Sequence, residues 1–390
     1  MYAIPNAINL SLDFGFFWPF ITFFLAFFIS YISYPAIIRV SKMKKLAEKP
    51  NWRSVHTERI PNLGGVGIFI SLNLIITFLG NYLGDENLLT LLGAVTILFF
   101  IGLIDDLIGL KPLQKILGQV VASLAVILIT NLRVENFYGF LGLHELPYLI
   151  SVGFTLFVFV LIINAYNLID GVDGLAGSFA VTISLFFAIF FFANDNNSLF
   201  FLSISIIGAL ISFLIFNFSK KEKIFMGDTG SMVLGFLLAY QALNFLNVSF
   251  NPSFVIQSVK SPIYILALFS FPLLDVMRVF SVRLLKKKSP FSADKNHIHH
   301  VFLDFGLEHW KISALASVFT VSMVFTVFIF NDVSNLKQAV FLFVLWITSI
   351  IIVNNLKLIN TLRKKSKKKS KTKKVKLDVV SGIVNLRDLA

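Results

Sequence analysis

The chain has no cysteine among its 390 residues, and charged residues are scarce. The absence of cysteine excludes disulfides, thiolate metal sites and cysteine nucleophiles. Asp, Glu, Lys and Arg together make up 14% of the chain, whereas an ordinary soluble domain carries roughly 25%. Hydrophobic residues make up 56%, and 45 residues are phenylalanine. Because most of its surface must face hydrocarbon, the protein is not a soluble enzyme, a disordered chain or a fibrous protein.

The net charge of +13 does not indicate nucleic-acid binding, because it is concentrated in one segment. Residues 357–390 hold 12 of the 34 Lys and Arg residues and 2 of the 21 Asp and Glu residues, a net charge of +10. The rest of the chain carries only +3, and a nucleic-acid interface needs basic residues clustered on the folded body. We expect residues 357–390 to form a disordered cytoplasmic tail. This tail either reinforces topology as a solvated extension or attracts anionic lipid head groups.

Eleven apolar stretches are long enough to cross a bilayer as helices, which takes about 20 residues each. Their length and their Phe, Ile and Leu content favour helices over the short, alternating segments of a membrane barrel. The predicted spans cover residues 16–38, 64–82, 88–104, 113–130, 148–166, 174–193, 199–217, 230–247, 262–280, 313–330 and 337–355. The predicted fold class is therefore an all-α, polytopic integral membrane protein.

Lys and Arg residues cluster in alternate loops, which predicts the orientation of the helices. The first, seventh and ninth interhelix loops are rich in basic residues, whereas each even-numbered loop contains one or none. Since positively charged loops stay in the cytoplasm, we expect the N-terminus outside and the C-terminus inside. Residues 1–15 contain no Lys or Arg and no small-residue cleavage site, so the first span is interpreted as a retained helix.

Polar side chains gather in the loops on the predicted cytoplasmic side, at the ends of the spans. Within a transmembrane domain of residues 1–356, these loops cover residues 39–63, 105–112, 164–173, 218–229 and 281–312. The candidate functional residues in them are Asp105, Asp106, Asn164, Asn167, Asp170, Asp173, Asp228, Arg283, His297, His299 and His300. The outer loops hold only scattered acidic residues, so we expect the chemistry at the cytoplasmic face.

The acidic motifs of the third and seventh loops each allow two interpretations. The pair Asp105-Asp106 is compatible with a hydrated interfacial pair, or with carboxylates that position a cation or take a proton from an acidic nucleophile. Asp228, in the sequence MGDTGS before the eighth span, is either a helix cap or a ligand of Mg²⁺, which prefers oxygen atoms.

The fifth loop, NAYNLIDGVDG, favours a divalent cation. Its four oxygen-bearing candidates, Asn164, Asn167, Asp170 and Asp173, lie within ten positions and have no basic residue among them. Helix capping and loop turns are the alternative role for such residues. An amide oxygen from this loop and a carboxylate from the seventh loop would suffice for Mg²⁺, which keeps several waters.

The histidines of the ninth loop, in the sequence HIHH, are interpreted as donors to a phosphate or diphosphate. Arg283, Lys288 and Lys295 add positive charge for the same anion. A zinc site is a minor alternative, because the chain has no cysteine and adjacent histidines point in different directions. Ordinary surface histidines are the other alternative.

Together these loops predict phosphoryl transfer with one reactant held in the lipid, because they combine carboxylates, a hard-cation site and anion donors. A cation-coupled secondary transporter is the alternative from another class, since acidic residues near spans also mark ion pathways. A transporter would place ionisable residues near the bilayer midplane, and only Asp275 and Arg278 approach that description. A structural scaffold would not require Asn167, Asp228 and HIHH together.

Five motifs, in this order, resemble those of the polyprenyl-phosphate N-acetylhexosamine-1-phosphate transferases. They are EKPNWRSVHTERIPNLGG, GLIDDLIGLKP, NAYNLIDGVDGLAG, FMGDTGS and HIHH, and the resemblance covers roughly residues 16–355. It implies transfer of a sugar-1-phosphate, most simply GlcNAc-1-phosphate, from a UDP-N-acetylhexosamine to undecaprenyl phosphate, with release of UMP and with Mg²⁺ or Mn²⁺. It also implies a bacterial inner-membrane enzyme that initiates cell-envelope glycan synthesis. The pathway and the formation of a homodimer are left open.

The resemblance also implies roles for the candidate residues. Asn167 and Asp228 would be metal ligands, and Asp105 and Asp106 would bind or deprotonate the lipid phosphate. Direct transfer and a phospho-aspartate on one of the three aspartates are both left open. The nucleotide-sugar pocket is expected to contain Asp170, Asp173, Asn164 and Arg283, and the diphosphate is expected to contact His297, His299 and His300.

The motifs also bear on the donor. Ile298 interrupts the three consecutive histidines that are usual with UDP-MurNAc-pentapeptide as donor, and therefore argues against that donor. UDP-GalNAc and UDP-QuiNAc stay as alternatives. Glu48, where an Asp is common before KPN, and the lysine-rich tail depart from the family pattern without touching the predicted chemistry.

Overall fold

The structure is a computed structural model, and it describes residues 17–44, 46, 60–137, 139, 142–247, 261–285, 287 and 297–380, with only the backbone from residue 360 onward. This part of the chain holds thirteen helices and no strand. The helices are α1 (Trp18–Met43), α2 (Gly64–Leu83), α3 (Glu86–Ile108), α4 (Pro112–Thr130), α5 (Tyr148–Ile169), α6 (Leu175–Ala193), α7 (Asn197–Asn217), α8 (Gly227–Asn247), α9 (Ser261–Leu268), α10 (Ser270–Leu285), α11 (Ile298–Asp304), α12 (His309–Ile329) and α13 (Asn335–Val380).

The predicted all-α membrane fold is confirmed. Among the described residues, ten helices are long and apolar enough to cross a bilayer, and the bent pair α9 and α10 is an eleventh where it is counted as one span. Helix α8 lies at the centre, with almost all of its side chains buried against α3, α5 and α2. A helix that is apolar all round belongs inside such a bundle. Helices α12 and α13 lie at the periphery and expose Phe, Val and Ile side chains, as a hydrocarbon environment allows.

The ninth span is not the straight helix that residues 262–280 predict. It breaks at Phe269 into α9 and α10, which meet at an angle of 68°. Pro272 explains the break, because its missing N–H leaves the carbonyl of Leu268 without its helical partner. The bend directs α10 toward the histidine motif, which begins at His297.

The loops of one end of the bundle converge, as the alternation of charge predicts. Asn62 of the first loop and Asp228 of the seventh both contact Asp106, at the end of α3. At the opposite end, the side chain of Asn247 donates to the carbonyl of Arg133. Which end faces the cytoplasm stays a prediction. Residues 1–16, most of loop 39–63 and residues 288–296 lie outside the described residues, including Glu48, Lys288 and Lys295.

The disorder expected of residues 357–390 stays a prediction, although helix α13 includes residues 357–380. Helix α13 continues without a break from the last span to Val380. A helix that is already nucleated by a membrane span extends at little cost, and residues 335–380 contain no Gly or Pro. Residues 381–390 lie outside the described residues.

Candidate active site

A lysine that follows the carboxylate pair joins the ends of three helices. The Nζ of Lys115, in the first turn of α4, binds Asp105 Oδ2 and lies 2.7 Å from Asp228 Oδ2. The short turn between α3 and α4 brings Lys115 back onto Asp105, since Gly109 ends α3 with φ 75° and Pro112 begins α4. Asp105 also accepts the Leu110 N–H at 2.6 Å. Two carboxylates are thus held together by one ammonium group.

Asn167 and Asp228, predicted from different loops as one metal site, are in direct contact. Asn167 Nδ2 lies 2.5 Å from Asp228 Oδ1 and 2.7 Å from Ser231 Oγ. The two atoms of an amide exchange places when the group rotates by half a turn, so the amide oxygen can occupy the position beside Asp228. The predicted juxtaposition is therefore present, and the metal role of the two residues stays a prediction.

These residues fit a hard divalent ion. The group offers a carboxylate, an amide and a hydroxyl, and an ammonium group already lies against Asp228 where positive charge is needed. Among the described residues, no three His, Asp or Glu side chains form a closed metal site. Mg²⁺ is usually held by one or two protein groups together with substrate phosphates, and its binding here stays a prediction.

Asp106, the second member of the carboxylate pair, points toward the first turn of α8. Asp106 accepts hydrogen bonds from the backbone N–H groups of Asp228 and Thr229, each at 2.9 Å. Successive residues of a helix point about 100° apart, so Asp105 and Asp106 serve different groups. The sequence prediction treated them as one unit, and the structure separates them.

Asp170, at the end of α5, lies in an acidic environment. Its burial, followed by repulsion from Asp228, Asp106 and Asp173, raises its pKa well above the usual range for an aspartate. Crowding of negative charge of this kind is relieved by a bound cation. The role of the fifth loop in binding a cation stays a prediction.

Asp173, in contrast, already has basic side chains as partners. Its Oδ2 lies 2.5 Å from Lys223 Nζ and 2.6 Å from His309 Nδ1. Burial acts to raise the pKa of Asp173, but the hydrogen bonds from His309 and Lys223 outweigh it and the net pKa is lowered. The fifth loop has no basic residue of its own, and the structure supplies them from the seventh loop and from α12.

The histidine motif is tied to α10 by a buried carboxylate. Asp275 Oδ2 lies 2.8 Å from His297 Nδ1, and Asp275 Oδ1 accepts the Ile298 N–H at 2.7 Å. Both Asp275 and His297 are buried. Asp275, which sequence analysis set aside as a feature of a transporter, therefore holds the start of α11 in place.

The three histidines differ in their surroundings. His299 is 2% exposed, and burial lowers its pKa to about 3, so its ring is neutral at pH 7. Its ring lies so close to the backbone of Gly171 that a Cβ there would be 2.6 Å from Nε2. His300 is half-buried beside it, with ring centroids 4.4 Å apart. The roles of His297, His299 and His300 in binding a diphosphate stay predictions.

The roles of Asn164 and Arg283 in the nucleotide-sugar pocket stay predictions. Asn164 Nδ2 donates to Gln119 Oε1 of α4 and to the carbonyl of Val160, both at 2.7 Å, so its amide joins α4 to α5. Arg283 is buried in the last turn of α10.

Sequence reasoning missed Lys115, Lys223 and His309 as parts of the site. Lys115 could have been identified from the sequence, because it lies in the segment GLKPLQK, shortly after Asp105. A lysine in that segment can reach the carboxylates. Lys223 and His309 could not be identified in this way, since Lys223 follows α7, His309 begins α12, and only the packing of α7 and α12 beside α6 brings them to Asp173.

The chain is similar to known proteins over much of its length. Residues 88–246 match the family model described as Glycosyl transferase family 4. The decaprenyl-phosphate N-acetylglucosaminephosphotransferase of Mycobacterium leprae is 30% identical over 289 residues, which cover 68% of this chain and 72% of the relative. The probable undecaprenyl-phosphate N-acetylglucosaminyl 1-phosphate transferase of Bacillus subtilis (strain 168) is 29% identical, over 75% and 79% of the two chains. The undecaprenyl-phosphate alpha-N-acetylglucosaminyl 1-phosphate transferase of Escherichia coli (strain K12) is 28% identical, over 69% and 72%.

Proposed function

The chain belongs to glycosyl transferase family 4, the polyprenyl-phosphate N-acetylhexosamine-1-phosphate transferases, and we propose that it transfers GlcNAc-1-phosphate from UDP-GlcNAc to undecaprenyl phosphate. UMP is the second product, and the step initiates a cell-envelope glycan. The enzyme lies in the bacterial inner membrane with its active site facing the cytoplasm. The observation that carries the proposal is the cluster of Asp105, Lys115, Asn167 and Asp228 at one end of an apolar bundle.

The proposed reaction is a phosphoryl transfer with a balanced exchange of P–O bonds. An oxygen of the lipid phosphate forms a bond to the β-phosphorus of the UDP-sugar. The bond between that phosphorus and the bridging oxygen breaks, and the oxygen leaves with UMP. A proton on the lipid phosphate, if present, passes to a carboxylate of the site.

Each residue of the cluster has its own role in this reaction. Asp228 and Asn167 would hold the divalent ion, which would neutralise the diphosphate charge. Asp105 faces the same space and is the carboxylate that accepts the proton of the lipid phosphate. Lys115 holds Asp105 and Asp228 in one geometry before substrate binds.

The neighbouring loops form the rest of the proposed site. Asp170 and Asp173 line the nucleotide side, and the contacts with Lys223 and His309 hold Asp173 in place. The histidines of α11 face the diphosphate from the other side, with His300 the most accessible of them. The transporter alternative gains no support, because Asp275 is buried against His297 instead of lining an ion pathway.

The test is an assay of UMP release by the detergent-purified protein with undecaprenyl phosphate and radiolabelled UDP-GlcNAc. We expect release that stops with EDTA and returns with excess Mg²⁺ or Mn²⁺. Asp228→Ala and Asn167→Ala should each lose turnover, whereas Asp332→Asn, at an exposed turn between α12 and α13, should keep it. A near-normal rate in either site variant would refute the role given to that residue.

A donor panel tests the sugar. UDP-GlcNAc, UDP-GalNAc, UDP-QuiNAc and UDP-MurNAc-pentapeptide are compared at equal concentration, and we expect the highest kcat/KM for UDP-GlcNAc. If only another donor supports transfer, the proposed reaction class stands and UDP-GlcNAc is the wrong donor. If no donor supports transfer by protein whose thermal transition shows that it is folded, the proposed function is overturned.

A further inference from the structure

The carboxylate of Asp106 is directed at the first turn of α8 and is fully engaged there. Its Oδ1 accepts the N–H of Asp228 at 2.9 Å and the Nδ2 of Asn62 at 3.2 Å. Its Oδ2 accepts the N–H of Thr229 at 2.9 Å and the Thr229 hydroxyl at 2.5 Å. An ionised carboxylate has about four acceptor positions. The four donors occupy these positions and hold the Asp106 carboxylate against the start of α8.

The start of α8 needs this partner, because it cannot cap itself. The first N–H groups of a helix have no partner within the helix, and a side chain just before them normally accepts their hydrogen bonds. Met226 and Gly227 stand in that position and have no oxygen in their side chains. Asp106 provides the acceptor from another helix, and its negative charge also suits the positive end of the α8 dipole.

Two glycines make room for this contact. Gly227 has φ 71°, and a Cβ on it would overlap the Asp106 carboxylate and the carbonyl of Asn62. A Cβ on Gly102, one turn before Asp106 in α3, would lie 2.5 Å from the Cα of Thr229. The backbones of α3 and α8 can therefore approach closely enough for Asp106 to reach the helix start. Helices α3 and α8 therefore both shape the position that the Asp106 carboxylate occupies.

We infer that Asp106 is a positioning residue that caps α8 and thereby orients Asp228, whereas Asp105 is the member of the pair that faces the reacting groups. Asp228 donates its backbone N–H to Asp106, and its carboxylate accepts from Lys115 and Asn167. Fixing the backbone of Asp228 fixes where its carboxylate points. The role in orienting Asp228 for catalysis rests on the proposed function, but the cap itself does not.

The first test measures hydrogen exchange of the α8 amides by mass spectrometry, and it requires no substrate. Asp106→Ala should speed exchange of the amides of Asp228 and Thr229 by about 10-fold or more, because their acceptor is gone. Asp105→Asn is the matched control, since it removes a charge from the adjacent residue and leaves the cap in place. Unchanged exchange in Asp106→Ala overturns the inference. Should that variant not fold, the comparison is made with Asp106→Asn, which keeps only one of the two acceptor oxygens.

The second test separates positioning from proton transfer. Asp106→Asn should recover part of the activity lost in Asp106→Ala, because one acceptor oxygen remains, raise the Mg²⁺ concentration for half-maximal rate, and keep the wild-type pH profile. A general base contributes about 10²- to 10⁴-fold, so Asp105→Asn should lose at least that much. Loss of one limb of the pH profile in Asp106→Asn overturns the inference. Absence of transfer by the wild-type protein refutes the proposed function alone, because the exchange result still decides whether Asp106 caps α8.

Discussion

The ammonium group of Lys115 binds Asp105 and Asp228 together, and so joins the end of α3 to the start of α8. The side chain of Lys115 is about a quarter exposed, while that of Asp105 is almost completely buried. Removing the ammonium group leaves two carboxylates side by side, one of them buried. The lysine occupies the position beside Asp228 where the proposed metal ion would contribute charge.

We expect Lys115→Gln to lower kcat by roughly 10²-fold, the order of effect seen when one charged or hydrogen-bonding group is removed from an active site. The same variant should need less Mg²⁺ for half-maximal rate, because the ammonium group no longer competes for Asp228. Titration of the initial rate with Mg²⁺ measures both quantities. Lys111→Gln, in the same turn but exposed, is the control and should behave as wild type. A higher Mg²⁺ requirement in Lys115→Gln would contradict this account.

Asp275 should be essential to the stability of the histidine segment. Asp275→Ala removes the acceptor of both His297 Nδ1 and the Ile298 N–H, and a buried group left without its partner costs about 1–3 kcal/mol. We therefore expect a lower Tm and a lower kcat. Asp275→Asn should lose less, because its carbonyl oxygen can still accept from Ile298. Thermal unfolding in detergent, followed by intrinsic fluorescence, is the measurement, and a wild-type Tm in Asp275→Ala would refute the role.

The contrast between Asp105 and Asp106 shows where sequence reasoning ends. The eleven spans could be predicted because length and hydropathy are local properties, and the alternation of charge placed the polar loops at one end of the bundle. Which of two adjacent aspartates faces the site depends on the rotation of α3 against α8, and no local pattern specifies that rotation. The same limit applies to Asp173, whose partners Lys223 and His309 come from distant segments.

The bend at Phe269 illustrates a different limit. Pro272 is a visible helix breaker, but proline is tolerated within membrane helices and does not by itself predict a break of 68°. The bend matters for the site because α10 carries Asp275 to the histidines. A straight span over residues 262–280 would have given no reason to connect Asp275 with His297.

His299 should make the stability of the protein depend on pH. The pKa of His299 is about 3 in the folded protein, because of burial, and about 6.5 in an unfolded chain. The unfolded state therefore binds more protons between these values, so the stability is complete above pH 6.5 and decreases as the pH falls toward 3. The expected loss is about 1.4 kcal/mol per pH unit in this range.

The measurement compares the free energy of unfolding of wild type and His299→Gln between pH 7.5 and pH 5.5. The glutamine variant should be less stable at pH 7.5, and its stability should depend less on pH. The contribution of His299 is the difference between the two slopes, which removes the titration of Asp275, His297 and His300 from the comparison. Parallel slopes would show that His299 is not held neutral by burial.

The lysine-rich end of α13 should be dispensable for turnover in detergent. Deletion of residues 364–390 keeps the predicted span at 335–359 and removes most of the basic residues beyond it, so we expect the kcat of the full chain. Lysines near an anionic surface each contribute about 1 kcal/mol of attraction. If the segment acts through lipid head groups, the deletion will lower the rate in liposomes that contain anionic lipid and leave it unchanged in zwitterionic liposomes. If the segment only reinforces topology, the rates will match in both lipids, whereas a loss in detergent would show that the helical extension supports the active site directly.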